Sequence, residues 1–474
     1  MTHRLPWQAA LTAATLLVPA CQAAPGPGEP AVGGSARPAA LTPGMVGAQP
    51  ARLGPGARNR MLDTTSQAYT GAFLVLLAPG RTAASLLAAP GLSGTAISGS
   101  LQLEDRLLVR LSPPTPAVEP AWRRALWATG AVQGVQPEAW RFTANQPAPD
   151  MAADQWSHRP AFGDTEGAWA IVPDAAASKV VVAVIDSGLD ETHPEFAGRV
   201  ASGGLNTLVD PPSANISDDN GHGTHCAGIV AAANDQAGIR GVAPGAQILP
   251  MKVLDQQGAG TDMSILQGIM AAIAWLPTPD DGSRVRVLSL SLGAALEDVS
   301  ALYAQAFAMA RRRGIVVVAA SGNESLDFVG SPANAPLAIA VGSTSRYLGW
   351  ERLSGFSNGG HALALVAPGA AILSTYPRTL GDASGYAVES GTSMATPFVA
   401  GVAAQLVARY DPGNNRLDAT WTDLARARLL AAVDDLGPPG RDDLYGEGRT
   451  NAHLAVYPQT LEGPVVQPTP APPP

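Results

Sequence analysis

The chain contains almost no cysteine. Cys21 and Cys226 are its only two in 474 residues, which excludes a scaffold stapled by disulfides. Charge is scarce too: 15% of residues are Asp, Glu, Lys or Arg, and the net charge is −9. Without a basic patch or a run of like charges, the expected partners do not include nucleic acid, and the acidity serves solubility. Aromatic residues make up 5%, and the Trp residues show no spacing of a binding stripe. Beyond residue 20 no apolar run is long and uninterrupted enough to span a bilayer. The chain is instead rich in small and apolar residues, with 46% hydrophobic and 51 Gly. That suits a large packed core, either two to three domains or one large domain with extensions.

Residues 5–20 (LPWQAALTAATLLVPA) form an apolar stretch behind His3 and Arg4. It is short for a membrane span and fits a secretory signal over 1–21. "LVPAC", 17–21, resembles a bacterial lipoprotein cleavage box with Cys21 as the lipidated residue. Pro19 is unusual there, and an ordinary signal peptide is the alternative. Either way the expected location is secreted or attached to the cell envelope. Residues 22–67 are rich in Ala, Pro and Gly and read as a linker.

Residues 68–148 read as a small α+β domain. "AFLVLLAPG" is a strand and turn, "RTAASLLAAPG" a short helix, and "LEDRLLVRLS" one half-buried alternating strand. "PAWRRALWATG" is helical, "VQGVQPEAWRF" a last strand, and 143–154 a loop. Residues 149–459 change character. "KVVVAVIDSG", "RVRVLSLSLG", "GIVVVAASGN" and "LAIAVGST" are nearly continuous apolar runs, as in strands buried on both faces of a parallel sheet. Helical patterns lie between them at 223–233, 262–275 and 300–313. The last runs from a capping Ser300 to Arg311, Arg312 and Arg313 before Gly314. The expected fold class is α/β, a doubly wound and mainly parallel sheet with helices on both faces, preceded by the small α+β domain. The tail, 460–474, is Pro-rich and expected to be extended.

Open α/β sheets bind ligands at the carboxyl ends of their strands. Asp186 ends the first apolar run. His222 lies at the mouth of one helix, in "DDNGHGTHCAG". Ser393 lies at the mouth of another, in "SGTSMATP". A serine hydroxyl is a weak nucleophile until an imidazole takes its proton, and the imidazole needs a carboxylate to fix its tautomer. A helix N-terminus beside the serine favours a developing oxyanion.

The blocks "VVAVIDSGLD", "NGHGTHCAGIVAA", "SLSLG", "AASGN" and "GTSMATPFVAG" resemble the subtilisin-like serine endopeptidases over about residues 155–457. The order Asp, His, Ser is theirs. The resemblance implies a catalytic triad of Asp186, His222 and Ser393, with Asn323 as an oxyanion donor. It implies that Ser291, Leu292 and Gly293 pair with substrate backbone as an added strand. Ser321, Gly322 and Gly330 would line the pocket before the scissile bond, left open by the missing side chain of Gly330. It implies polypeptide substrates, an acyl-enzyme intermediate, and domain 68–148 as a self-cleaved propeptide and intramolecular inhibitor of a monomeric enzyme. Scission is then expected within 144–155. A catalytically silent binding module is the rival reading.

The family commonly binds calcium. By resemblance the ligands are Glu195, Ala233, Asp235, Ala237 and Ile239, with Glu195 standing where the family usually has Asp. His222, His225 and Cys226 have a tempting metal spacing, but no further ligand pattern accompanies them. The resemblance makes His225 structural and puts Cys226 beneath His222. His158, His193 and His361 are expected to pack or face solvent.

Overall fold

Val180–Asp186 is a strand of seven residues, every one buried. It lies at the middle of the main sheet and shows why the apolar runs are continuous. Val180, Val182 and Val184 join the core cluster on one face. Val181, Ala183 and Ile185 are equally buried and point to the other face by the twofold period of a strand. In this computed structural model the described residues are 69–103, 105–112, 119–143, 146–147, 155–159, 161–235, 238–277, 279–347, 350–380, 384–457 and 461. Their contacts place them all in one unit that starts at Ala68. The expected signal (1–21), linker (22–67) and all of the tail but Leu461 lie outside the described residues.

The amino-terminal part runs β1 (Tyr69–Leu77), α1 (Ala83–Leu87), β2 (Ala96–Leu103), β3 (Arg106–Ser112), α2 (Glu119–Ala128), β4 (Val132–Thr143) and β5 (Gln146–Pro147). One expectation needs correcting. "LEDRLLVRLS" is not one strand: Leu103 ends β2 and pairs with Arg106, which begins β3. The alternation continued through a hairpin, so the pattern carried no mark of the turn. Strands β4, β1, β3 and β2 lie side by side in an antiparallel sheet. A separate small core of Phe73, Val75, Leu77, Leu86, Val109, Leu111 and Trp122 packs beneath it.

The rest of the chain runs α3 (Thr165–Ile171), β6 (Val180–Asp186), β7 (Leu205–Asn206), α4 (His222–Ala231), β8 (Gln247–Lys252), β9 (Ala259–Thr261), α5 (Asp262–Ala274), β10 (Arg284–Leu290), β11 (Leu292–Gly293) and α6 (Ala301–Arg312). It continues β12 (Val316–Ala320), β13 (Ala338–Tyr347), β14 (Trp350–Leu353), β15 (Leu365–Pro368), β16 (Ile372–Thr375), β17 (Tyr386–Ser390), α7 (Thr392–Tyr410), α8 (Ala419–Ala431), β18 (Val433–Asp434), β19 (Arg449–Thr450) and α9 (Ala452–Val456). The main sheet has the order β18-β19-β15-β13-β12-β10-β6-β8-β7, with β14 beside β13. It is parallel except at β14 and β18. Helices α4 and α7 pack together on one face, and α5 and α6 pack together across the other strand faces.

The helix boundaries follow local chemistry. Thr261 caps α5, accepting from the amide of Ser264, whose side chain accepts from the amide of Thr261 in return. Ser300 caps α6, which ends in Arg311 and Arg312 before Gly314 at φ +73°. Arg286 on β10 fixes the far end of α7. It donates to Asp411 at 2.7 Å and to Asn414 at 2.6 Å, and the Arg–Asp pair is buried. The helix carrying Ser393 at its start is thus tied at its end to the central sheet.

Candidate active site

Asp186 is the last residue of β6, at the carboxyl end of the parallel sheet. Its Oδ1 accepts from Nδ1 of His222 at 2.8 Å and from the amide of Ser187 at 2.7 Å. With its proton on Nδ1, His222 presents Nε2 as an acceptor. That Nε2 is buried with no hydrogen-bond partner among the described residues. Burial alone would lower the pKa of His222. The adjacent Asp186 carboxylate and Cys226 together outweigh it and raise the pKa well above the ordinary value.

His222 owes its position to the turn before α4. Gly221 has φ +102°, and a Cβ there would fall 2.3 Å from the ring of Tyr376. Asp218, buried and not singled out by sequence reasoning, organises this turn. It accepts from the amides of Asn220, Gly221 and Thr224, the Thr224 hydroxyl and the Ser187 hydroxyl. The legible signal was an Asp four residues ahead of a His that opens a helix, a capping arrangement.

Ser393 is the second residue of α7. Its hydroxyl donates to the Ser291 carbonyl at 3.2 Å. Cys226 lies one turn below His222, with Sγ 3.9 Å from Nδ1 of His222 and 3.5 Å from the Ser393 carbonyl. Ligand atoms of Asp186, His222 and Cys226 lie within 4.8 Å of one another. Two features argue against a metal there. Nδ1 already donates to Asp186, and burial pushes the Cys226 thiol up to about 11, whereas metals bind thiolates. His225 points elsewhere: its Nε2 lies 3.1 Å from the Ile372 carbonyl.

Asn323 follows β12 by three residues. Its Oδ1 accepts from the Thr392 amide at 2.9 Å and from the Thr392 hydroxyl at 3.0 Å. This fixes the amide plane and leaves Nδ2 buried without a hydrogen-bond partner among the described residues. A buried donor held this way costs stability unless it serves a transient acceptor.

The expected substrate strand is already paired. Leu292 and Gly293 lie antiparallel to Thr143 and Phe142 of β4. The other edge of β4 pairs with β9, Trp140 opposite Thr261 and Phe142 opposite Ala259. Sequence reasoning missed β9, whose short "AGT" carries no strand pattern. Beyond residue 145 the chain pairs again, Gln146 opposite Ser390 and Pro147 opposite Glu389. Ser321 donates its hydroxyl to the Asn358 carbonyl, and Gly322 has φ +110° against the Asn358 side chain. Gly330 is glycine for a different reason than an open pocket. A Cβ there would lie 2.6 Å from the Ala294 carbonyl, so the missing side chain lets two backbone segments meet.

The expected calcium residues meet through hydrogen bonds. The Glu195 carboxylate accepts from the amides of Ala233 and Ile239, each at 2.9 Å, and from the Tyr386 hydroxyl at 2.8 Å. A hard cation requires oxygens converging on one point. Here N–H groups and a phenol converge on the carboxylate, Asp235 is exposed, and Ala237 lies outside the described residues. This donor set does not fit calcium. His158 and His193 are buried and pack against rings, while His361 is exposed.

A family model described as the subtilase family, peptidase S8, matches residues 177–448. Thermitase of Thermoactinomyces vulgaris is 40% identical over 290 residues, covering 61% of this chain and 91% of that protein. Subtilisin Savinase of Lederbergia lenta is 40% identical over 280 residues, covering 59% of this chain and 91% of that protein. The solved structure of fervidolysin from Fervidobacterium pennivorans, a keratinolytic enzyme related to subtilisin, aligns with TM-score 0.64 at 25% identity. It covers 84% of this chain and 62% of that chain. The family match spans all of the parallel sheet but β19, the buried Asp–His pair and the asparagine with its orphan amide. This chain therefore belongs to the subtilase family and is a subtilisin-like serine endopeptidase acting on polypeptides.

Proposed function

We propose that the chain is an exported precursor that cleaves itself and then cleaves other polypeptides through Asp186, His222 and Ser393. The observation that carries this reading is the buried Asp186–His222 hydrogen bond with an unpartnered Nε2. In the acylation step Ser393 Oγ attacks the peptide carbonyl carbon, and its proton passes to His222 Nε2. Asp186 holds the imidazole and stabilises its cation. The oxyanion is met by Asn323 Nδ2 and the Ser393 amide. His222 returns the proton to the leaving amine, and water then hydrolyses the acyl-enzyme by the same route. Calcium is no part of this reading, because Glu195 already carries three hydrogen bonds.

The small amino-terminal domain is the first substrate and an inhibitor. Strand β4 occupies the place between β9 and β11 that a substrate strand takes. Thr143 faces Leu292 and Gln146 faces Ser390, three residues before Ser393. Ala144 and Asn145 separate these two pairings in the sequence, which favours scission between Thr143 and Gln146, at the start of the expected 144–155 segment. A folding role fits a sheet built from long-range parallel pairings, which form slowly without a template. Export accords with the leader-like residues 1–21 and with the secretory features of the sequence, and no helix among the described residues is long and apolar enough to cross a membrane.

The test is intact mass over time for the purified precursor beside Ser393→Ala. The reading expects a new amino terminus within 144–146 in the wild type and an uncut variant. A wild type that stays whole, resists a fluorophosphonate label and digests no casein overturns it.

A further inference from the structure

Glu195 stands in a short 3-10 turn, Pro194–Phe196, and its side chain is 3% exposed. A carboxylate buried to that degree needs hydrogen bonds on its oxygens. It has them from three directions: the amides at both ends of the 232–239 loop, and the Tyr386 hydroxyl from β17. Gly238, inside the same loop, has φ +57°. A Cβ there would lie 1.9 Å from the Tyr386 hydroxyl and 2.0 Å from Glu195 Oε1. The space beside Gly238 is therefore filled by these two side chains.

The support continues outward. His193 Nδ1 accepts from the Glu195 amide at 3.3 Å, and its Nε2 donates to the Gly385 carbonyl at 2.8 Å. Its ring meets the Tyr386 ring edge-on, with centroids 5.3 Å apart. Burial and the neighbouring Glu195 push the Tyr386 hydroxyl up to about 12. The phenol therefore keeps its proton and donates throughout the working pH range. All three of these partners donate to Glu195, which is the arrangement for an anion. A divalent cation would need these donors turned away and carbonyls turned in.

We propose that the Glu195 carboxylate, held by Tyr386, closes the 232–239 loop in place of a cation, so that this loop is stable without calcium. The longer reach of Glu over Asp is what brings the carboxylate to both loop amides. Charge-assisted hydrogen bonds then supply the restraint that a metal would otherwise give.

The test uses the full chain carrying Ser393→Ala, which prevents self-digestion, with and without Glu195→Gln. Thermal midpoints are measured in EGTA and in excess calcium at one scan rate. Glu195→Gln keeps the shape but removes the charge and one acceptor. It should lower the midpoint by on the order of 5 °C, equally in the two buffers. A calcium shift of the same size with and without the substitution arises at another place and also supports the proposal. A penalty present in calcium that vanishes in EGTA overturns it, because the carboxylate would then act through the ion. If the Gln variant does not fold, amide exchange over 232–239 in the Ser393→Ala chain decides. Protection unchanged by EGTA supports the anchor, and protection lost in EGTA overturns it.

Discussion

Ser291 and Ser393 hold each other across the active site. The Ser291 hydroxyl donates to the Ser393 carbonyl at 2.8 Å, and the Ser393 hydroxyl donates to the Ser291 carbonyl at 3.2 Å. One bond fixes the first turn of α7 to the end of β10. The other holds the Ser393 hydroxyl, so under the proposed mechanism its proton turns toward His222 before attack. Ser291→Ala removes the first bond and leaves the second. A neutral hydrogen bond contributes about 0.5–1.5 kcal/mol, so kcat on a peptide substrate should fall about 2–10-fold with KM little changed. A change confined to KM would contradict this positioning role.

Asn323→Ala removes a donor already oriented by Thr392. A loss of about 10²–10³ in kcat is expected, a scale measured on subtilisin itself. Asn323→Asp should be no better, because it places a negative charge beside the oxyanion. Wild-type kcat in either variant would remove Asn323 from the site.

On the proposed mechanism the pH–rate profile reports His222, which must be neutral to accept a proton. The Asp186 carboxylate raises its pKa above the ordinary value, so the acid limb of kcat/KM should lie above about 6.5. Asp186→Asn removes the raising charge and leaves burial. The residual activity, lower by about 10⁴, should then show its acid limb shifted to lower pH. A limb that stays put would mean another group governs it.

Stability in acid should follow His158. Its Nδ1 lies 2.7 Å from the Thr165 hydroxyl, and burial lowers its pKa to about 4. A folded-state pKa below the unfolded value gives stability that is complete above about 6.5 and lost as pH falls toward 4. At about 1.36 kcal/mol per pH unit the loss is ~3 kcal/mol. Denaturant midpoints of the Ser393→Ala chain across this range check it, and His158→Gln should flatten the slope.

The sequence made legible what local chemistry controls. Val180–Asp186 could be read as a central strand because both of its faces are buried. Thr261 and Ser300 could be read as caps because a helix start has one common solution. Asp186, His222 and Ser393 stood out because each sits at an element boundary in a specific block. What stayed hidden depends on partners far along the chain. Glu195 meets Tyr386 across 191 positions, and nothing near Glu195 announces a phenol. Gly330 suggested an empty pocket, because a missing side chain does not say which backbone will take its place. The insertion of β4 between β9 and β11 is a register between distant segments, and β9 is three residues of small side chains.

On the proposed self-cleavage, that insertion bears on what the released enzyme would digest. If β4 departs as proposed, β9 and β11 would stand about 9–10 Å apart, two strand spacings, each with unpaired main-chain groups. Any chain able to lie straight for a few residues completes the ladder, whatever its side chains. A helix or a well-packed domain has no such length to offer. The enzyme would thus sort proteins by how often they unravel, clearing denatured chains quickly and sparing folded ones.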